Sequence, residues 1–510
     1  MVNKVSGRVL KVINSRGFFW FVIGFFIFEA AWIALTAAYP QAFDEQFHFG
    51  LIKIYSYHLS PFLARQPAGG NAYGAVARDP SYLYHYLMSF PYRLIELFTK
   101  QQTYQVITLR FINIFLFAYG LVLFKKILIR AKVSAGYANL AILIFALIPI
   151  VPQLAGQINY DDLLFPLVAF ICLLSFKLID EIKRLKPTFR TVFILLITAI
   201  LTSLVKYAFL PIFLAIVCFF SFYLFWTYRT KLKAISANFI SSFKKESLIL
   251  KTVLIAGLVL SVFMFAQRDI VNLIDYHSVD PNCSSVLSVN QCKAYSAWYA
   301  DYERHVQVLA KQIRPTSNFI VYVFEWLYWV WYRLFFAVNG PASNFTNYPP
   351  LPVPCAVALV IGLFGIIAAI RYRKELFKAN PYSTLMLIAS AFYVIALILQ
   401  GYSTYQYTAT LENMNGRYLL PVLLLTGTVF VKAFSLAFRK YNRLKVIIAC
   451  VIVVLFLEGG GILTYIIRSD NTWYFQNSKV IRANEVAKKI SKKVVVSGKK
   501  SYSTSIWFFN

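Results

Sequence analysis

The chain has 510 residues, of which 59% are hydrophobic and only 14% carry a charge. Its mean hydropathy of +0.61 implies more apolar surface than a soluble core of this length can bury, which excludes a water-soluble globular protein. The formal net charge of +30 could suggest nucleic acid as a partner. We exclude that partner because the lysines and arginines are scattered over short connections between apolar segments, where cations set membrane topology and contact anionic headgroups.

Long apolar segments predict an all-α, polytopic integral membrane protein. A helix needs roughly 20 apolar residues to cross the hydrocarbon, and about eleven segments meet that requirement. They lie at 18–38, 104–124, 137–153, 162–179, 190–205, 207–227, 249–267, 352–371, 381–399, 417–435 and 445–466. We interpret the first as a retained anchor, because it is too long for a signal peptide and lacks a small-residue cleavage site.

The positive charges predict how the chain is oriented in the membrane. They cluster at the N-terminus and near 125–132, 183–190, 229–245, 371–378 and 439–445. The positive-inside rule makes these regions and the N-terminus cytoplasmic. Residues 1–467 then form one transmembrane domain, and the tail 468–510 is extracytoplasmic despite its own basic residues.

Two exterior loops follow from this topology, at 39–103 and 268–351. The aromatic segment 318–340 is long enough to span, but Glu325 and Arg333 favour an amphipathic helix at the exterior interface. Cysteines outside the cytoplasm tend to oxidise, so we expect a disulfide between Cys283 and Cys292.

A polar stretch, Phe43-Asp44-Glu45-Gln46-Phe47-His48, follows directly on the first apolar segment. Carboxylates facing lipid would carry a large desolvation penalty, so we expect this stretch to line a wet cavity. An amphipathic surface helix is predicted at 52–59, a flexible linker at 66–71, and a further short helix from Asp79-Pro80. The sequence therefore predicts an active site in the loop 39–103.

Later motifs share the predicted exterior placement of this stretch. They are 80–86 (PSYLYHY), 110–113 (RFIN), 157–162 (QINYDD), 204–208 (LVKYA) and 415–421 (NGRYLLP). Their order resembles the GT-C fold of lipid-phosphate-sugar-dependent glycosyltransferases, the group that contains protein O-mannosyltransferases and bacterial aminoarabinose transferases. The resemblance covers much of the first half and the region near 417. Ser81 departs from the family's second proline, and 268–351 matches nothing.

The resemblance implies transfer of a sugar from a polyprenyl-phosphate donor to a glycan, lipid or protein acceptor on the extracytoplasmic face, with inversion. It implies that Asp44 is the base, assisted by Glu45 and His48. The candidates for binding the donor phosphate are Arg417, Lys206 and Arg110. The remaining candidate substrate contacts are Tyr84, His85, Asp161 and Tyr418.

Each candidate also has a structural interpretation. Asp44 could cap the helix that follows it, and His48 could be a structural hydrogen-bonding partner. Lys206 could snorkel to the interface, and Arg417 could be an interfacial anchor. No metal-ligand spacing occurs, so no metal site or cofactor is predicted; a divalent cation at Asp161-Asp162 is kept as an alternative to capping of the helix that starts there.

Two other functions are compatible with the sequence. A transporter or flippase of lipid-linked sugar would place ionisable residues near the middle of interrupted spans, whereas most acids here lie at predicted exterior ends. A non-catalytic envelope assembly protein would tolerate loss of Asp44.

Overall fold

The computed structural model describes residues 2–335, 340, 352–378, 380–412, 414–441, 447, 450–451 and 461–494. Within these ranges the regular elements are helices and helical turns, apart from one isolated bridge between Ala37 and Tyr474. The all-α prediction is confirmed for this part of the chain.

The helices are numbered here in chain order. They are α1 (Val2–Ile13), α2 (Arg16–Thr36), α3 (Glu45–Ser56), α4 (Leu83–Phe98), α5 (Gln102–Arg130), α6 (Ala135–Ala146), α7 (Ile150–Ala155), α8 (Asp161–Lys183), α9 (Phe189–Val205), α10 (Leu210–Phe222), α11 (Leu232–Lys245), α12 (Leu248–Phe265), α13 (Val271–Tyr276), α14 (Cys283–Val286), α15 (Val289–Cys292), α16 (Ser296–Leu309), α17 (Phe319–Phe335), α18 (Pro352–Arg371), α19 (Pro381–Thr408), α20 (Leu420–Ala437), α21 (Gly461–Arg468) and α22 (Ser478–Val494).

Seven helical segments in the described ranges are long and apolar enough to cross a membrane, as a polytopic membrane protein requires. They are Arg16–Thr36, Gln102–Arg130, Asp161–Lys183, Tyr207–Thr227, Leu248–Tyr276, Pro381–Thr408 and Gly416–Ala437. The predicted spans 137–153, 190–205 and 352–371 correspond to shorter apolar helices, and 445–466 lies mostly outside the described residues. The total of about eleven therefore stays a prediction.

The predicted span 137–153 is interrupted for a local reason. Helix α6 ends at Ala146, and α7 begins at Ile150 after the break 147–149. Pro149 lies in that break, and a proline disfavours the helical conformation of the residue before it. Hydropathy alone cannot detect such a break, because both halves are equally apolar.

The centre of the bundle is α5, which packs between α2 and α8. The ring of Phe117 on α5 stacks on Phe165 of α8 at 4.2 Å and on Phe26 of α2 at 5.5 Å. Gly120 allows this approach, since a Cβ there would overlap the Phe165 ring. This packing holds the three helices together.

The two ends of the bundle differ chemically. At one end, an Arg130–Asp180 ion pair of 2.6 Å joins α5 to α8, and Tyr382 of α19 donates to the same carboxylate. These residues lie among the connections predicted to be cytoplasmic. Asp44 lies at the other end, beyond the last residue of α2. The separation of the two ends agrees with the predicted topology, while the side of the membrane that each faces stays a prediction.

The C-terminal segment returns to the Asp44 end of the bundle. The backbone N–H of Ala38 donates to the carbonyl of Trp473 at 2.8 Å, and that of Phe475 donates to Thr36 at 2.9 Å. The start of the tail therefore lies on the same side as Asp44, as predicted, although it is basic. Residues 495–510 of the predicted tail lie outside the described residues.

Within the predicted segment 318–340, residues Phe319–Phe335 form α17, and 336–339 lie outside the described residues. Tyr322 packs against Tyr405 near the end of α19, and a Cβ on Gly416 would overlap the backbone of Leu334. Both ends of α17 thus contact the Asp44 end of the bundle, an arrangement that favours an interfacial helix. The predicted disulfide Cys283–Cys292 is present.

Candidate functional site

The site begins with an unusual backbone conformation where the chain leaves α2. Phe43 and Asp44 both have left-handed backbone angles, with φ of 69° and 70°. Such angles are uncommon for residues other than glycine, and for a bulky residue they indicate strain that the surroundings must hold in place. The Phe43 carbonyl accepts from Arg417 Nη1 at 2.7 Å and from Asn159 Nδ2 at 3.0 Å. These bonds fix the direction in which Asp44 points.

Asp44 forms an ion pair with Arg417. Arg417 Nη2 donates to Asp44 Oδ2 at 2.6 Å, and the two side chains differ sharply in exposure, 61% for Asp44 against 7% for Arg417. The predicted alternative, a helix cap, is not the geometry observed, because the Asp44 side chain makes no capping hydrogen bond. Asp44 is thus an accessible carboxylate held by a buried cation.

Arg417 does not use all of its N–H donors in hydrogen bonds within the described structure. Its Nε atom is buried and lacks a hydrogen-bond partner among the described residues. Its guanidinium also lies 5.1 Å from the ring centroids of both Phe43 and Tyr418. A glycine precedes it because Leu334 of α17 approaches too closely for a side chain at position 416. The Gly-Arg-Tyr element therefore places a partly unsatisfied cation beside Asp44.

Glu45, the next residue, has a different environment. It is fully buried, and its carboxylate accepts from Arg110 Nε and Nη2 at 2.7 Å each. The backbone N–H groups of Gln41 and Ile158 donate to the same carboxylate at 2.7 and 3.1 Å. Such a carboxylate has no free position for an acceptor proton, so the geometry assigns Glu45 to holding the loop.

The partner of Glu45 is equally saturated. The remaining N–H donors of Arg110 bond to the carbonyls of Ala34, Ala37 and Ala38, at 3.1, 2.8 and 3.4 Å. Every guanidinium donor of Arg110 is therefore in use. In this geometry Arg110 joins α5 to the end of α2, and a contact of Arg110 with the donor phosphate stays a prediction.

Lys206 lies where α9 ends and is buried rather than snorkelling. Its Nζ donates to Asp161 Oδ1 at 2.7 Å, and it lies 4.4 Å from the Tyr160 ring and 5.5 Å from the Tyr418 ring. Tyr418 thus contacts both this lysine and Arg417. The sequence prediction that Asp44, Lys206 and Arg417 converge agrees with this geometry.

The two histidines of the loop pair with each other. His48 Nδ1 and His85 Nε2 are 2.9 Å apart, both rings are buried, and the Tyr160 ring lies 4.5 Å from the His48 ring. Burial lowers the pKa of His85 to about 3. Burial, then the neighbouring His85 and the charges of Arg417 and Lys206, lower the pKa of His48 well below its usual value. Both rings are therefore neutral, which suits the structural role considered for His48.

The remaining predicted substrate contacts, Tyr84, Tyr418 and Asp161, differ in their exposure to solvent. The Tyr84 hydroxyl is buried against Asn113, at 3.1 Å from its Oδ1. Tyr418 is half-buried, and it adjoins the two cations. Asp161 pairs with Lys206 and does not cap α8. The backbone N–H of Asp161 donates to the Asn159 side chain. Among these three residues only Tyr418 is not buried.

Asp162 is fully buried, and both its carboxylate oxygens lack a partner among the described residues. Within those residues no group of three His, Cys, Asp or Glu side chains could hold a metal ion. The alternative of a divalent cation at Asp161 and Asp162 therefore gains no ligand set from this geometry.

Sequence reasoning missed two contributors to the site. Asn159 orients both Phe43 and Asp161, and its only signal was its place inside the motif 157–162. Tyr295 follows the disulfide loop, and its ring packs on Phe47 at 5.9 Å. No local pattern indicated this contact, since it joins segments that are about half the chain apart.

An apolar cavity of about 390 Å³ lies between helices of the bundle. Its walls come from α5, α6, α17, α18 and α20, and include Phe145, Trp331, Leu423, Leu424 and Phe430. Leu423 and Leu424 follow Arg417 by roughly two helical turns. The cavity is thus close along the chain to the buried cation, and its lining suits a hydrocarbon chain.

Comparisons with known proteins add no family to this description. No protein-family model matches the chain, and no curated protein matches it significantly.

Proposed function

We propose that this chain is a membrane glycosyltransferase with a GT-C-like fold, which moves a sugar from a polyprenyl-phosphate donor to a hydroxyl-bearing acceptor. The site would face the extracytoplasmic side of the cell membrane, with the N-terminus in the cytoplasm. The observation that carries the proposal is the pairing of an exposed carboxylate, Asp44, with a buried cation, Arg417, beside a second cation, Lys206.

This arrangement supplies the groups that the reaction needs. Attack by an acceptor hydroxyl requires a base, and departure of a lipid phosphate requires fixed positive charge. Asp44 is the only one of the loop's predicted acid-base residues that is both ionisable and exposed in the described structure. Arg417 and Lys206 are held in place by their contacts and need little rearrangement to receive an anion.

The ion pair also suggests an order of events. A donor phosphate binding at Arg417 competes with the Asp44 carboxylate for the same guanidinium, using the unpartnered Nε as its first contact. Once the phosphate takes over Nη2, the Asp44 carboxylate is free to accept a proton. The base would therefore be released only when the donor is bound, which disfavours wasteful reactions of an empty site.

The apolar cavity fits the lipid part of the donor. A polyprenyl chain needs a path in the hydrocarbon next to the phosphate site, and the cavity wall includes Leu423 and Leu424 shortly after Arg417. The tail and the phosphate would then be recognised by the same segment, Gly416–Ala437.

The transporter alternative gains less support. Glu29 is a fully buried carboxylate within the α2 span, as a transport pathway could require. Its Oε1 accepts from the backbone N–H of Ile462 at 2.9 Å, near the start of α21. This contact gives Glu29 a structural role at that helix terminus.

A binding and turnover experiment tests the proposal. The protein in lipid nanodiscs is mixed with a radiolabelled polyprenyl-phosphate hexose, and both binding and consumption of the donor are measured. We expect Asp44→Asn to bind the donor without consuming it and Arg417→Ala to lose binding. Asp275→Asn, an exposed acid on α13, is the control and should behave as wild type. Failure of the wild-type protein to bind the donor, or consumption by Asp44→Asn, would contradict the proposal.

A further inference from the structure

A second polar cluster lies beside the Asp44 site, where α12 passes into α13. The turn Ala266–Ile270 between these helices is π-helical, a conformation often found at functional sites. It carries two adjacent charged residues, Arg268 and Asp269, which are 0% and 2% exposed. Neither residue belongs to a motif used in the sequence analysis.

These charges are poorly satisfied. Arg268 Nη2 donates to the carbonyl of Pro61 at 3.2 Å, but Nε and Nη1 have no partner within the described residues. Both carboxylate oxygens of Asp269 also lack a partner there. A buried charge without hydrogen bonds is strongly unfavourable, so such groups are normally completed by water or by a ligand.

Further polar groups surround the pair. The guanidinium of Arg268 lies 4.7 Å from the ring centroid of Tyr82, whose hydroxyl is also buried without a partner in the described structure. Asp79 is half-buried and close enough to interact with Arg268 and Asp269. Asp280 is exposed at the edge of the cluster, close enough to interact with Tyr207.

The cluster is connected to the cations of the Asp44 site. The backbone N–H of Tyr207 donates to the Ser81 hydroxyl at 3.1 Å, and Tyr207 directly follows Lys206. Ser81 in turn lies between Asp79 and Tyr82, which both belong to the cluster. Two polar regions of opposite charge thus adjoin along the segments 79–82 and 206–207.

We infer that the Arg268–Asp269 cluster is the acceptor subsite, and that it binds an uncharged, hydroxyl-rich carbohydrate. This inference rests on the proposed function, for which it supplies the acceptor class. The carbohydrate enters past Asp280 and presents a hydroxyl toward Asp44, while the donor phosphate remains at Lys206 and Arg417.

The composition of the cluster selects this ligand class. The cluster offers a phosphate one guanidinium among three carboxyl groups, whereas cations are available to a phosphate next to Tyr207. An amine would use the carboxylates but leave the free donors of Arg268 unsatisfied. Sugar hydroxyls both donate and accept, so they can satisfy Asp269 and Arg268 together.

Ligand-observed NMR on the full chain in nanodiscs tests the inference. Saturation transfer is measured for methyl α-mannoside, methyl α-glucoside and methyl β-galactoside, and for putrescine as the amine probe. Inorganic phosphate is the anion probe, and its binding is followed by the line width of its phosphorus resonance. We expect at least one methyl glycoside to bind, and its affinity to fall about tenfold in Asp269→Asn and in Asp280→Asn, since each loses a hydrogen bond to a charged group. Asp275→Asn is the matched control and should bind as wild type.

Asp280→Asn keeps the test decisive if Asp269→Asn does not fold, because Asp280 is exposed. The inference is overturned if no methyl glycoside binds, if both variants bind as wild type, or if putrescine or phosphate shows the variant-dependent signal instead. Asp44→Asn should retain glycoside binding while losing transfer. If the wild-type protein transfers sugar but binds no methyl glycoside, the subsite is refuted and the proposed function is not. If Asp44→Asn transfers sugar as wild type does, the proposed function is refuted.

Discussion

Asp44 and Glu45 are neighbours in sequence and both pair with an arginine, yet their surroundings are opposite. Glu45 is fully buried, its carboxylate accepts from Arg110 and from backbone N–H groups, and its partner has no donor to spare. Asp44 is mostly exposed, sits on a strained backbone and holds an arginine whose Nε is unsatisfied.

The contrast separates the scaffold of the site from its chemistry. A saturated pair such as Glu45–Arg110 is closed to water and substrate, because any new partner must displace an existing hydrogen bond. An unsaturated pair such as Asp44–Arg417 can exchange partners at little cost. Glu45 thus fixes the position of the loop, whereas Asp44 remains accessible to a ligand.

The largest expected effect tests the open pair. Asp44→Asn should lower glycosyl transfer about 10²–10⁴-fold, the usual contribution of a general base. It should lower the thermal unfolding midpoint less than Glu45→Gln does, because the Asp44 side chain is mostly exposed. Transfer rates and midpoints are measured in nanodiscs beside Asp275→Asn. A large loss of stability without loss of transfer would reverse the contrast drawn here.

The closed pair should respond in the opposite way. Glu45→Gln leaves the Arg110 charge buried without its counter-ion, and we expect about 3–5 kcal/mol less stability against unfolding. Denaturation in detergent measures this, with Glu96→Gln as a matched control. Glu96 pairs with Lys100 at 3.4 Å on the surface, where ion pairs contribute about 0–1 kcal/mol. Equal stability of the two variants would show that Glu45–Arg110 is not structural.

A smaller effect sharpens the role of Arg417. Arg417→Lys keeps the charge but loses the planar guanidinium, so donor affinity should fall about tenfold, because lysine cannot present paired donors to a phosphate. Arg417→Ala should lose more. If lysine supported wild-type affinity, Arg417 would be an interfacial anchor and Lys206 the remaining phosphate ligand.

A further effect concerns pH. Burial lowers the pKa of His85 to about 3, whereas the unfolded chain binds the proton near pH 6.5. The unfolded state therefore gains protons first on acidification, so stability should decline as pH falls from 6.5 toward 3, by at most about 1.4 kcal/mol per pH unit for this residue. Unfolding of His85→Gln should depend less on pH in that window. His277→Gln, at an exposed position, should keep the wild-type slope.

The sequence predicted the parts of this picture that depend on local composition. The lengths of the apolar segments identified the seven described spanning segments. The positions of the cations and the order of the motifs placed Asp44, Lys206 and Arg417 at the same end of the bundle. The different fates of Asp44 and Glu45 could not be predicted, because they depend on which distant arginine reaches each one. The pairing of His48 with His85 and the contact of Tyr295 with Phe47 likewise depend on packing between segments that hydropathy does not relate.

The spacing of the two ion pairs along the chain has a consequence for biosynthesis. Arg110 follows Glu45 by 65 residues, whereas Arg417 follows Asp44 by 373. At typical elongation rates the second interval takes roughly 20 to 75 seconds. The Glu45–Arg110 pair could thus form early in translation, whereas the Asp44–Arg417 pair can form only after most spans have been made. Under the proposed function, a nascent or truncated chain that ends before Arg417 would carry the proposed base without the proposed phosphate-binding arginine, and we expect it to be inactive.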